Sequence, residues 1–268
     1  MQALRHFLLA VQFFTRIPIT GRLADWVGFS PAMLRASSAH FPGVGWIVAV
    51  AATASYGALA LLLAPNPWAS AVAAVGCTVV TVLLTGGFHE DGLADVADGL
   101  GGSADTERAL DIMKDSRIGA YGTLALVLAL LAKVVLLALL GSYSLAAALT
   151  ALAGAHVLSR LWPLCIVRSL PHVGDTARSK SKPLADQISP GALAAAVLWC
   201  FPALALVQQA PAALFLGAGV VASMVAAWRM QRLFARRLGG FTGDCLGATQ
   251  QVGEIAFYLG AALTLGAL

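Results

Sequence analysis

Apolar residues run in blocks of about 20 along most of this chain, separated by short polar stretches. That is the pattern of helices that cross a lipid bilayer rather than of helices half-buried on a soluble core. The blocks predict spans near Gly43–Ala64, Trp68–Phe88, Tyr121–Leu140, Leu145–Val167, Ala192–Gln208, Pro211–Trp228 and Val252–Leu268. They sum to an all-α, polytopic transmembrane bundle of about seven spans, in one integral-membrane domain over residues 1–268. The first twenty residues read differently. Arg5 and His6 precede a short apolar run, and Phe13-Phe14-Thr15-Arg16-Ile17-Pro18 stands where a signal peptide would carry small residues for cleavage. An N-terminal helix lying in the membrane interface is expected, with Arg16 and Arg22 toward the headgroups.

Composition agrees with this pattern. Hydrophobic residues make up 59 % of the chain and charged residues 11 %, where soluble domains carry roughly 25 % charged residues. The lipid bilayer is therefore the expected surrounding, no nucleic-acid partner is expected, and homo-oligomerisation is left open. Cys77, Cys165, Cys200 and Cys245 show no metal-ligand spacing and read as packing residues. Basic residues cluster at Arg5–Arg35, Arg108–Arg117, Arg168–Lys182 and Arg229–Arg237. An even number of expected spans separates each cluster from the next, which puts all four on one face. The positive-inside rule makes that face cytoplasmic.

Against this background the stretch Gly86–Gly122 stands out. It gathers Glu90, Asp91, Asp95, Asp98, Asp105, Glu107, Asp111 and Asp115, eight of the thirteen acidic residues. Carboxylates this close repel unless a cation holds them, and a divalent ion is the simplest candidate. On a helix Asp95 lies about 40° from Asp91, and Asp98 about 20° to the other side, so the three line one stripe. Asp111 and Asp115 suggest a second stripe beyond a glycine-rich turn, with Asp105 or Thr106 as cap. Magnesium suits all-oxygen ligation shared with substrate phosphates. Glu90, Asp105 and Glu107 read as surface or capping residues.

Complementary chemistry surrounds the acids. Arg108, Lys114 and Arg117 offer donors for phosphate oxygens, and Gly119 and Gly122 allow close backbone approach to a ligand. His156 and Arg160, four apart inside an apolar run, share a helix face, and ionisable residues within a span are functional candidates. In Arg236–Asp244 the glycines suggest a nest of N–H groups for phosphate, with Asp244 as a further ligand. These are the parts of phosphoryl transfer, in which positioning and charge stabilisation do most of the catalysis.

Several of these segments, in order along the chain, resemble the adenosylcobinamide-GDP ribazoletransferase (cobalamin 5′-phosphate synthase) family. They are Phe13–Pro18 (FFTRIP), Phe41–Gly45 (FPGVG), His89–Gly99 (HEDGLADVADG), Glu107–Gly122 (ERALDIMKDSRIGAYG) and Arg237–Ala248 (RLGGFTGDCLGA). The resemblance implies a magnesium-dependent, multi-pass enzyme of the bacterial inner membrane with a cytoplasmic active site. Such an enzyme joins adenosylcobinamide-GDP to α-ribazole or its 5′-phosphate and releases GMP. Asp91, Asp95, Asp98, Asp111 and Asp115 are assigned to the ion or ions, with one as general base. Lys114, Arg117 and Arg160 are assigned to the diphosphate. Arg16, His156, Gly240, Thr242 and Asp244 complete the expected substrate contacts. Family members commonly carry a small or apolar residue beside the first Asp, so Glu90 reads as a local variation.

A CDP-alcohol phosphotransferase is the nearest alternative. Gly102-Ser103 stands where that family has Ala-Arg, and the gap to Asp111-x-x-x-Asp115 is about five residues short. An aspartate-rich prenyltransferase fits less well, since its two motifs lie far apart in sequence. An ion-coupled transporter would place its acids near the bilayer midplane.

Overall fold

The computed structural model describes residues 1–173, 188–205 and 210–267. Among these no strand forms; a single β-bridge joins His172 and Phe241. Three short helices come first: α1 (Gln2–Phe14), α2 (Gly21–Val27) and α3 (Pro31–Ser37). Their 13-residue leader α1 is about 20 Å long, too short to cross a hydrocarbon core. It packs on α3 and on α4 (Phe41–Leu62).

The expected spans appear as helices with altered ends. Trp68–Phe88 becomes α5 (Ala69–Thr85), which breaks at Gly86 and Gly87, with φ of 73° and 70°. A left-handed backbone there is cheap only for glycine. Beyond it α6 (Phe88–Gly102) leaves at 89° to α5. After α7 (Thr106–Met113) comes α8 (Ala120–Tyr143), whose Leu124, Leu128, Leu131 and Val135 are exposed, as a lipid-facing surface requires. The span expected at Leu145–Val167 is interrupted, giving α9 (Leu145–Leu158) and α10 (Trp162–Ser169). The last elements are α11 (Pro190–Ala205), α12 (Ala210–Arg237) and α13 (Gly243–Ala262).

Seven spans are not confirmed. Among the described residues four segments are long and apolar enough to cross a membrane: Pro31–Leu62, Ala120–Tyr143, Leu145–Ser169 and Ala213–Arg237. A fifth is added if the bent α5–α6 pair is counted as one. Two expected blocks are not among them. The Ala192–Gln208 block is described only as far as Ala205, as the 16-residue α11. In place of the expected Val252–Leu268 block stands α13, which begins nine residues earlier and buries Gln250, Gln251 and Glu254. It is a core helix packed against α6, α8, α9 and α12.

Helix ends carry the local sequence signals that fix them. Asp105 caps α7 by accepting from the Arg108 N–H at 2.8 Å, and Ser144 caps α9 through the Ala147 N–H at 3.0 Å. Members of three basic clusters, or residues beside them, bond to the ends of neighbouring elements. The Arg16 N–H donates to the Leu84 carbonyl at the end of α5. Arg237, ending α12, donates to the Leu100 and Ser103 carbonyls at the end of α6. Phe241 exchanges backbone bonds with Pro171 and Val173, just past Arg168. The remainder of the Arg168–Lys182 cluster and the last residues of the Ala192–Gln208 block lie outside the described residues.

Candidate active site

The α5–α6 bend opens a cleft of about 640 Å3 where α1, α6 and the segment before α8 converge. Arg16, Glu90, Asp91, Asp95, Ser116 and Ile118 are among its lining residues. Arg16 reaches it because Gly86 has no side chain; a Cβ there would collide with the guanidinium. Among the described residues Arg16 forms no ion pair.

α6 carries the acids as its spacing predicts. Asp91 is exposed and Asp95 half-buried, both on the cleft wall, and α13 brings Asp244 up beside them. The close approach depends on Gly92, since a Cβ there would stand 2.7 Å from the Asp244 carbonyl oxygen. Asp95 thus lies in the combined field of Asp244, Asp91 and Asp98. Among the described residues no cation pairs with Asp91 or Asp95. No three His, Cys, Asp or Glu side chains there stand close enough to cage one ion.

Asp98 has a different setting. It is buried, and its carboxylate accepts from the Gly119 N–H at 2.7 Å and the Gly122 N–H at 2.8 Å. It therefore fastens α6 to the first turn of α8, where helix N–H groups lack partners and favour negative charge. The close approach expected of Gly119 and Gly122 is to this carboxylate, which a Cβ at either position would strike. Gly122→Ala is therefore expected to lower the thermal midpoint by several degrees in a melting assay. Gly191→Ala, where nothing lies within 4 Å, should leave the midpoint near that of the parent.

The second acidic stripe does not form. α7 stops at Met113, and the Asp115 N–H bonds to the Ile112 carbonyl in a tight turn, so Asp111 and Asp115 share no helix face. Both lie outside the cleft lining. Exposed Asp111 pairs with Lys114 at 3.5 Å. Asp115 is gripped by Arg117, whose Nε stands 2.9 Å from Oδ1, and those hydrogen bonds hold the carboxyl down to about 2.

The remaining candidates are dispersed. Arg160 is 2 % exposed, donates to the His156 carbonyl at 2.6 Å, and lies 5.6 Å from the Phe41 ring centre. His156 is equally buried, and neither lines the cleft. The expected glycine nest is occupied by the chain itself, since Gly240 abuts the Pro171 carbonyl. Thr242 caps α13 by accepting from the Cys245 N–H at 3.4 Å, and it donates to Asp244.

Sequence reasoning passed over a buried ion pair. Lys133 of α8 lies 2.8 Å from Glu254 of α13, both almost fully enclosed. Glu254 also accepts from Gln250 at 2.8 Å and from Tyr258 at 3.0 Å. A single charge inside each apolar block was the available signal.

Fold and site define a polytopic helical membrane protein with an acid-lined polar cleft at the end of its bundle. The family profile of cobalamin-5-phosphate synthase matches residues 6–262. Adenosylcobinamide-GDP ribazoletransferase of Polaromonas naphthalenivorans is 61 % identical, with 99 % of this chain and 100 % of the relative aligned. The proteins of that name from Leptothrix cholodnii and Vibrio cholerae are 47 % and 40 % identical, over 96 % and 94 % of this chain and 94 % and 91 % of their own. The chain belongs to the cobalamin-5-phosphate synthase family. No solved structure matches it.

Proposed function

We propose that this chain joins adenosylcobinamide-GDP to α-ribazole or its 5′-phosphate, releasing GMP, and that the reaction takes place in the cleft over α6. The observation that carries this reading is the pair Asp91 and Asp95, open to the cleft and, among the described residues, without a protein cation, sharing it with Arg16, which forms no ion pair among those residues. The full-length match to ribazoletransferases supports the choice of substrates over those of a CDP-alcohol phosphotransferase.

Magnesium fits this donor set. It usually binds through one or two carboxylates together with substrate phosphates, not in an all-protein cage, and the cleft offers such a pair. Asp91 and Asp95 would hold it, with Asp244 and Asp98 adding negative field. When bound, the ion neutralises diphosphate charge and makes the phosphorus a better electrophile. Arg16 steadies diphosphate oxygens with paired N–H donors. Lys114 precedes, and Arg117 lies within, the segment that supplies Ser116 and Ile118 to the lining, from where they reach the same group on leaving Asp111 and Asp115. The ribose 3′-hydroxyl, giving its proton to a cleft carboxylate, attacks the phosphorus nearest the cobinamide, a new P–O bond forms, and the P–O bond to GMP breaks. Basic residues at the cleft, Arg16 on its wall and Arg117 between the lining residues Ser116 and Ile118, support a cytoplasmic opening in a bacterial inner membrane.

The test is incubation of purified protein with both substrates, following GMP release. Release should require magnesium, stop in excess chelator and return when the metal is restored. Full release in chelator would overturn the metal assignment; no release with any divalent cation would overturn the activity.

A further inference from the structure

A hydrogen-bond chain runs from the buried ion pair to the cleft wall. Glu254 accepts from Gln250 Nε2, which also donates to the Ser159 hydroxyl at 3.0 Å. Gln250 Oε1 accepts from Gln251 Nε2 at 2.9 Å. The same Gln251 nitrogen donates to Glu90 Oε1 at 3.1 Å. Both amides thus spend both of their N–H donors. Their orientation is dictated from the ends, because ionised carboxylates only accept. Lys133, Glu254, Gln250, Gln251 and Glu90 therefore form one connected path from α8 through α13 to α6, in which Gln251 donates toward both ends. Glu90 Oε2 is buried and takes no hydrogen bond among the described residues. Among the described residues the Gln251 contact is thus the one hydrogen bond that holds this side chain.

We propose that Glu90 is a positioning residue: its bond to Gln251 fixes the rotation of α6 about its own axis, and so the direction in which neighbouring Asp91 and Asp95 face the cleft. The placement of those aspartates as reacting groups rests on the function proposed above; the tether itself does not. Paired carboxylates that must meet one ion and one diphosphate tolerate little rotation, and a displacement of about 1 Å can cost on the order of a hundredfold in rate.

Charge and reach can be separated at this position. Glu90→Gln loses the charge but keeps an oxygen for Gln251. Glu90→Asp keeps the charge but is shorter by about 1.5 Å, beyond hydrogen-bond range. Both variants are made in the full chain and purified in detergent, and kcat and KM are measured by GMP release. Glu90→Asp should lose about tenfold or more in kcat with KM within about twofold, and Glu90→Gln should stay at least tenfold more active than Glu90→Asp. The reverse order would show that the carboxylate acts directly and would overturn the proposal. Equal activities would overturn it as well. Gln251→Asn shortens the same bond from the other side, and serves if Glu90→Asp does not fold. Combined with Glu90→Asp it should add no further loss, as for two residues acting through one contact; additive losses would count against the tether.

Amide hydrogen exchange over Phe88–Gly102 in substrate-free protein reads the tether without turnover. Exchange should accelerate in Glu90→Asp and Gln251→Asn and remain slow in Glu90→Gln. This pattern in a protein that releases no GMP would refute the activity and leave the tether standing. Unchanged exchange in all three variants of a protein that does release GMP would refute the tether alone.

Discussion

Asp91→Ala and Asp95→Ala should each reduce GMP release by on the order of a hundredfold or more while the protein still inserts and melts near the parent temperature. The two carboxylates face the cleft and carry no structural hydrogen bonds among the described residues, so removing either breaks nothing that holds the fold. Removing one even relieves repulsion, since Asp95 lies in the fields of Asp91, Asp98 and Asp244. A near-neutral or raised thermal midpoint with lost turnover is therefore the expected signature, as is common for strained catalytic groups. The magnitude follows from losing charge stabilisation where phosphoryl charge develops, typically about 10²–10³ in kcat for one interaction. Asp98→Ala should behave differently. Its two backbone hydrogen bonds to α8 disappear, at about 1.5–3 kcal/mol for each charge-assisted bond, so activity and melting temperature fall together. Steady-state assays paired with melting curves on the three variants distinguish the roles. Near-parent turnover in both Asp91→Ala and Asp95→Ala would remove the acidic pair from the chemistry.

The largest stability effect is expected at Glu254. Glu254→Met leaves the Lys133 ammonium enclosed without its partner, and also strands the Tyr258 hydroxyl and one Gln250 donor. Breaking a buried pair from one side costs about 3–5 kcal/mol, equivalent to a midpoint shift on the order of 10 °C for a chain of this size. Lys133→Met should cost less, because Glu254 keeps its two neutral donors. The double variant should recover a large part of the Glu254→Met loss, since two apolar residues of similar volume replace two charges without orphaning either. Thermal melts in one detergent and one buffer decide the matter. A double variant less stable than Glu254→Met would mean that the pair contributes more than mutual neutralisation.

The helices themselves were legible because apolar blocks and caps are local signals. Asp105, expected with Thr106 as a cap, and the Asp91–Asp95 pair on α6 follow from local sequence. What sequence could not supply was the partner of each polar side chain. Asp98 looked like a third member of an exposed stripe, yet it turns to the first turn of α8, and only the fold brings Gly119 and Gly122 to it. Asp111 and Asp115 have helical spacing, but α7 ends between them at Met113. Lys133 and Glu254 were each a lone charge in an apolar run, and their pairing is a long-range contact that no periodicity encodes. The last expected block had a related difficulty. Val252–Leu268 reads as apolar, whereas the helix that forms there starts at Gly243 and buries Gln250, Gln251 and Glu254. Glu90 illustrates the same limit: a surface variation in the sequence, it is tied to Gln251 in the structure.

In the proposed function Asp91 and Asp95 share a divalent ion with the substrate diphosphate. Manganese binding followed by electron paramagnetic resonance tests it most directly, with and without adenosylcobinamide-GDP. Two protein carboxylates make a weak site alone, so manganese should bind loosely to the free protein and at least about tenfold more tightly with the nucleotide present, with the nucleotide gaining the same factor from the metal. The Asp91→Ala/Asp95→Ala double variant should lose this coupling while remaining folded. Equal manganese affinity with and without adenosylcobinamide-GDP, or coupling that survives in the double variant, would contradict the account.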